Sequence, residues 1–242
     1  LILARLAPNC VEYWGTDYAA GALEQVQRLK ETSAALGHVT LTQRMADDFV
    51  GIAPAAFDLV ILNSVVQYFP SVEYLVRVLE GAVRVVKPNG FIYIGDVRDF
   101  ALLAAYHASV QTFQAPAELN RAELWQRVQQ HVREEEELLL DPTFFGALQS
   151  HLPQIKQVQI QLKRGRHHNE LTRFRYQVIL QIGPEMVDQT DSLPLMKQGA
   201  QIHQLDHQTQ NISWLDWQQA ALTLATLRNR LNEQPLERLE VR

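Results

Sequence analysis

The feature that most constrains this chain is Phe57-Asp58-Leu59-Val60-Ile61-Leu62, five apolar side chains in six, followed at once by the polar pair Asn63-Ser64. A stretch so uniformly apolar must be buried on both faces, as an inner strand of a parallel sheet is. Its carboxyl end is then a polar edge of the kind at which open α/β sheets receive ligands. Pro70-Ser71 punctuates, and the apolar spacing becomes helical over Tyr74, Leu75, Val78, Leu79, Ala82, Val85 and Val86. Strand, polar edge and helix in that order predict a ligand site at Asn63-Ser64, with Gln67 and Tyr68 one turn further on.

The flanking segments continue the pattern. Val11–Asp17 has strand composition and ends on an acid, and Ala19–Leu36 reads as a helix stopped by Gly37. Val39–Gln43 alternates as a strand does and runs into Met45-Ala46-Asp47-Asp48-Phe49. Lys87-Pro88-Asn89-Gly90 forms a turn that launches the strand Phe91–Asp96. The order is β-α-β-β-α-β, that of a doubly wound sheet. Right-handed crossovers would bring Asp17, Asp47, Asn63 and Asp96 to one rim. Ala101–Gln114 and Arg121–Leu140 read as two helices, with the run Glu134–Glu137 as a solvated face of the second. Phe144, Phe145 and Leu148 mark a short helix. Val158–Leu162 and Phe174–Leu180, joined by the basic loop Lys163–Asn169, predict an antiparallel pair on the sheet's edge.

Composition narrows the class of function. At 242 residues and 47% hydrophobic content there is material for one sizeable core plus an appendage. A net charge of −5 argues against general nucleic-acid binding, and no apolar run is long enough for a membrane span. Cys10 is the single cysteine, which excludes an internal disulfide and makes the cytoplasm the default compartment. Residues 185–211 hold six glutamines with little sustained apolar pattern. We therefore divide the chain into a domain over 1–183, a linker over 184–213, and a segment 214–242 whose apolar spacing needs a neighbouring domain to pack on. Leu1-Ile2-Leu3-Ala4-Arg5-Leu6 reads as a helix already under way. His203 and His207 have a metal-ligand spacing but no further ligands, so no metal is expected.

Chemistry is concentrated at the strand ends. Asp17 has the position of an acid that accepts from ribose hydroxyls, or equally of a turn or helix cap. Asp47 or Asp48 is placed to accept from an adenine amino group, and Asn63 to meet a charged amino group. Asp96 is expected to orient Arg98 or a loop. Tyr68 and His107 are the candidates for lining an acceptor pocket and taking a proton.

These strings together resemble a known family. Gly15-Thr16-Asp17, Met45-Ala46-Asp47-Asp48, Phe57–Ser64 and Lys87-Pro88-Asn89-Gly90 are similar to the motif series of class I S-adenosylmethionine-dependent methyltransferases. Asn63-Ser64-Val65-Val66-Gln67-Tyr68-Phe69-Pro70, Gly95-Asp96-Val97-Arg98, His107-Ala108-Ser109-Val110-Gln111 and Lys163–Tyr176 resemble, more closely, the methyltransferase domains embedded in nonribosomal peptide synthetases. Trp214-Leu215-Asp216-Trp217 and Leu236–Arg242 are similar to the stretch by which such a module returns to its adenylation domain. The resemblance implies a Rossmann-like, doubly wound, mostly parallel sheet with an antiparallel edge hairpin. The family's glycine-rich loop is absent, so its first strand is expected to lie upstream of Leu1. The resemblance further implies S-adenosylmethionine as cofactor, held by Asp17, Asp47, Asp48, Asn63, Ser64 and Gln67. It implies Tyr68 and His107 at the acceptor, a phosphopantetheine-bound carrier protein and an adenylation domain as partners, and N-methylation of a tethered aminoacyl group. O- or C-methylation is the alternative within the enzyme class, and a non-catalytic docking or spacer domain the alternative outside it.

Overall fold

Ser71 starts the best-defined helix, α3 (Val72–Val85): its hydroxyl accepts from the Tyr74 amide (3.3 Å), with Glu73 in the first turn and Arg84 in the last, matching the helix dipole. Leu75, Val78, Leu79 and Ala82 form one face and are wholly buried. This face lies on β3 (Phe57–Asn63) and β4 (Val86–Asp99), which pair in parallel with Asn63 opposite Gly95. The expectation of an inner strand buried on both faces is corrected: β3 is the edge strand of its sheet, none of its residues is fully buried, and only the face under α3 is covered.

The computed structural model describes residues 2–184, Ser213–Leu215 and Leu239–Val241. Before β3 come α1 (Ile2–Leu6), β1 (Tyr13–Asp17), α2 (Ala20–Glu31) and β2 (Val39–Gln43). The sequence predicts one helix from Ala19 to Leu36; the structure ends it at Glu31, and Ala34–Leu36 form a separate 3-10 turn. β1 and β2 pair in parallel as a two-stranded sheet with their own small core of Ala7, Leu36 and Val39. Trp14 of β1 meets Phe57 of β3 edge to face at 5.6 Å.

After β4 follow α4 (Leu103–Gln114), α5 (Arg121–Arg133), β5 (Leu139–Leu140), α6 (Thr143–His151), β6 (Ile155–Leu162), α7 (Glu170–Arg173) and β7 (Arg175–Ile182). The main sheet has the order β3-β4-β7-β6, with β5 beside the end of β4. β7 runs antiparallel to both β4 and β6, so the hairpin stands where the sequence placed it. Lys87–Gly90, read as a turn, is counted within β4, and Asn89 takes the left-handed φ of 64° there. The second predicted helix of the pair is cut short. It ends at Arg133, and Glu134–Leu140 forms a loop and the short β5.

Phe145 and Leu148 of α6 join α3 on one face of the sheet, against Ile92, Ile94, Val97, Tyr176, Val178 and Leu180. On the opposite face Leu59 and Phe91 are 45% and 41% exposed, beside a hollow of about 700 Å³ that Ile2 and Leu6 also line. The chain divides into two units, Leu1–Asp188 and Gln189–Arg242. In the second, β8 (Ser213–Leu215) pairs in parallel with β9 (Leu239–Val241). Residues 185–212, where the linker is predicted, and His203 and His207 lie outside the described residues. Among the described residues no helix is long and apolar enough to cross a membrane.

Candidate active site

β3 ends at Asn63 opposite Gly95 of β4, and the next residue on each strand is a non-glycine of left-handed conformation: Ser64, just past β3, at φ 58° and Asp96, still within β4, at φ 62°. Such backbone costs on the order of 1–3 kcal/mol at each residue and is found where surrounding contacts enforce it. Here the Ser64 amide donates to the Gly95 carbonyl (3.2 Å), and its hydroxyl donates to Asp96 Oδ2. Asn63 Nδ2 donates to Ser64 Oγ (2.9 Å) and, more weakly, toward Asp96 Oδ2 (3.4 Å). The ammonium of Lys163, at the start of the hairpin loop, closes on Asp96 Oδ1. Asp96 is 6% exposed, so its charge needs that cation. Of the two expected partners, Arg98 or a loop, Asp96 takes the loop, through Lys163.

Gln67 lies in the 3-10 turn Val66–Tyr68 directly after this edge and is 3% exposed. Its Nε2 donates to the Ser64 carbonyl (3.2 Å), and its own carbonyl accepts from the Leu138 amide (2.8 Å). Its Oε1 is buried with no hydrogen-bond partner among the described residues. An unmatched buried carboxamide oxygen costs about 1–3 kcal/mol, so this atom calls for an explanation. Tyr68, next in sequence, is by contrast 70% exposed.

A second polar group is built around the end of β4. Arg98, 6% exposed, places Nη1 2.8 Å from both Glu135 Oε1 and Glu137 Oε2, and Nη2 2.8 Å from Glu135 Oε2. His107 on α4 brings Nε2 to 3.1 Å from Glu135 Oε2. Tyr106 carries Arg98 over its ring at 5.1 Å and touches Phe174 edge to face. The expectation that Glu134–Glu137 is a solvated helix face is corrected. The helix stops at Arg133, and Glu135 and Glu137 turn inward because a buried guanidinium needs carboxylates. Burial works to raise the Glu135 carboxyl, but hydrogen bonds from Arg98, the Glu137 amide and His107, with the Arg98 charge, hold it below its ordinary range.

The remaining candidates have local partners. Asp17 Oδ1 accepts from the Ala19 amide (2.8 Å), a turn geometry just ahead of α2, whose own N-cap position is Ala19. Asp48 Oδ1 accepts from the Val50 amide (3.0 Å). Asp47 reaches further: Tyr74 donates its hydroxyl to Oδ1 (3.0 Å), and the Tyr74 ring meets Phe69 at 4.9 Å. Burial first, then that carboxylate, push the Tyr74 phenol upward. The fold thus gathers Asn63, Ser64, Gln67 and Asp96, connects Asp47 to them through Tyr74 and Phe69, and leaves Asp17 and Asp48 in turns. Sequence reasoning missed Lys163, Glu135 and the buried state of Arg98. The available signal was Arg98 just past an apolar strand together with a run of four acids, read as a solvated helix face.

Comparison with known proteins bears on this edge. Residues 1–92, which include β1 to β3, the Asn63–Tyr68 edge, α3 and the start of β4, match the family model described as "Methyltransferase domain". The chain carries a methyltransferase domain. Chondramide synthase cmdD of Chondromyces crocatus is 46% identical to it over 227 residues, covering 94% of this chain and 5% of that enzyme. Enniatin synthase of Fusarium equiseti is 32% identical over 189 residues, 76% of this chain and 6% of that enzyme. The methyltransferase domain and its flanking residues therefore correspond to a small part of much longer synthetases. Its fold is that of a SAM-dependent methyltransferase from Methanosarcina mazei, with a TM-score of 0.52 at 14% identity over 75% of this chain and 87% of that one.

Proposed function

We propose that this domain transfers a methyl group from S-adenosylmethionine to the amino group of an aminoacyl unit tethered to a carrier protein, as one step within a peptide synthetase. The single observation that carries the reading is the buried Oε1 of Gln67, without a partner among the described residues, beside the polar edge of β3 and β4. The methionine end of the cofactor is an ammonium rich in donors, and Gln67, Asn63 and Ser64 are the residues that would hold it. Asp47, or Asp48 beside it, would take the adenine, and Asp17 the ribose. Two similarities support the reading: the match to methyltransferase domains, and relatives that are themselves synthetases.

When bound, the cofactor supplies a methyl group on a positively charged sulfur, so the protein's own work is placement and proton management. The acceptor amine must arrive with a free lone pair, and His107, 12% exposed in its side chain, is the base within the cluster at the end of β4. Tyr68 stands exposed at the rim of the same edge and would line the entry of the acceptor. The loop from Lys163 to Arg173 carries Lys163, Arg164, Arg166 and Arg173 against Glu170, a charge balance suited to a phosphopantetheine phosphate or an acidic carrier protein. An adenylation domain is the neighbour to which residues 214–242 would lead.

The test is incubation of the intact module with methyl-labelled S-adenosylmethionine and a loaded carrier protein, followed by locating the label. Label on the α-nitrogen is the expected result. Label on oxygen or carbon would reassign the acceptor atom, and no label, with no cofactor binding by calorimetry, would leave only a spacer role.

A further inference from the structure

Glu135 is the hub of the most buried ionic cluster in the domain, and what it does to His107 is a matter of hydrogen-bond arithmetic. Its two oxygens accept from both terminal nitrogens of Arg98 (2.8 Å each), from the Glu137 amide (3.1 Å) and from His107 Nε2 (3.1 Å). The side chains of Arg98, Glu135 and His107 are only 8%, 11% and 12% exposed. A carboxylate gripped by a two-pronged guanidinium is ionised and can only accept. The imidazole nitrogen facing it must therefore carry the hydrogen. In the neutral ring this puts the lone pair on Nδ1. The ring is held in that attitude from a second side by His131 of α5, stacked on it at 5.7 Å and 15°.

The cluster is fastened to the polar edge already described. Arg98 stands two residues beyond Asp96 on the same strand, and Leu138, next to Glu137, donates its amide to the carbonyl of Gln67 (2.8 Å). We infer that Glu135 is the positioning residue for proton transfer from the acceptor: it locks His107 as the Nε2–H tautomer and so aligns Nδ1 to take the amine proton. This rests on the proposed methyl transfer. In the balanced step the amine lone pair forms the new N–C bond, the electrons of the broken C–S bond stay on sulfur, and one N–H proton passes to Nδ1. The products are a secondary amine, a neutral thioether and an imidazolium facing an ionised carboxylate.

The experiment compares the intact module with its Glu135→Gln, Glu135→Asp and Glu137→Gln variants, using S-adenosylmethionine and an aminoacyl carrier protein. Glu135→Gln should slow single-turnover methylation roughly 10- to 100-fold, within the range of a lost acid–base contribution. Affinity for S-adenosylhomocysteine should stay within about twofold, and Glu135→Asp should restore part of the rate. Glu137→Gln removes a partner of Arg98 but touches no histidine, so it should cost no more than about threefold. Independently of turnover, nitrogen-15 spectra of histidine-labelled protein should show His107 as Nε2–H in the unsubstituted module and as a tautomer mixture in Glu135→Gln. If Glu135→Gln does not fold, the tautomer in the unsubstituted module decides. An Nδ1–H tautomer there, or an undiminished rate in a folded Glu135→Gln that still binds cofactor, overturns the inference alone. Failure of the unsubstituted module to bind S-adenosylmethionine overturns the proposed function and this inference with it.

Discussion

Gly95 faces Asn63 across the parallel pair, and a methyl group there would stand 2.1 Å from Asn63 Oδ1. That is about 1 Å inside ordinary C···O contacts of ~3.3 Å. In Gly95→Ala the Asn63 carboxamide must therefore swing away, giving up its bonds to Ser64 Oγ (2.9 Å) and Asp96 (3.4 Å). The first is worth about 1 kcal/mol and the second, although charge-assisted, no more than about 1.5 because it is long. Replacing glycine in a strand returns roughly 0.5 kcal/mol of backbone entropy, so the net cost should be about 2 kcal/mol. The Asn63→Ala background removes the obstructing oxygen and leaves only the Tyr93 ring edge at 2.8 Å. Gly95→Ala should then cost less than about 1 kcal/mol, a coupling typical of residues in direct contact. Urea unfolding of the four members of the cycle gives the stability term, and calorimetric titration with S-adenosylhomocysteine gives the binding term. If Gly95→Ala costs the same in both backgrounds, Asn63 is not what the glycine protects, and the account of this edge is wrong.

Three further outcomes follow from the same geometry. Because Arg98 and its neighbours hold the Glu135 carboxyl below its ordinary 4.5, the stability it contributes is full above that pH and is lost as pH falls through the lower folded value; Tm measured against pH should show Glu135→Gln well below the unsubstituted protein at pH 7 and the gap closing in acid. Tyr176, 1% exposed, donates its hydroxyl to the Leu140 carbonyl at 2.9 Å, so Tyr176→Phe should cost about 1–3 kcal/mol in urea unfolding by orphaning that oxygen. Gly81→Ala would place a methyl 2.2 Å from the Phe49 ring and should destabilise by about 1–3 kcal/mol, with Phe49→Leu relieving most of it.

Much of the fold could be read from local pattern. The apolar run at Phe57–Leu62, the helical spacing after Ser71 and the alternation on either side of the basic loop each depend on side chains within one segment, so the strand, α3 and the hairpin appear where the periodicity put them. Boundaries were less legible where two propensities compete, as at Thr32–Ser33, where α2 stops although the apolar spacing continues to Leu36. The candidate site divides in the same way. Asn63 and Ser64 could be placed at a strand's carboxyl end, with Gln67 in the turn after it, because that position follows from the apolar run alone.

Tertiary structure alone decided which charges meet. Asp96, in left-handed backbone, takes Ser64 and, from the hairpin loop, Lys163 rather than its neighbour Arg98. Arg98, left buried without that partner, draws Glu135 and Glu137 out of a run that looks solvated in one dimension. Periodicity reports only whether a side chain faces the core, whereas ion pairing depends on the distance between segments remote in sequence. The sequence therefore determined the strands, the main helix and the edge they create, and the packing of those elements determined which carboxylate steadies His107.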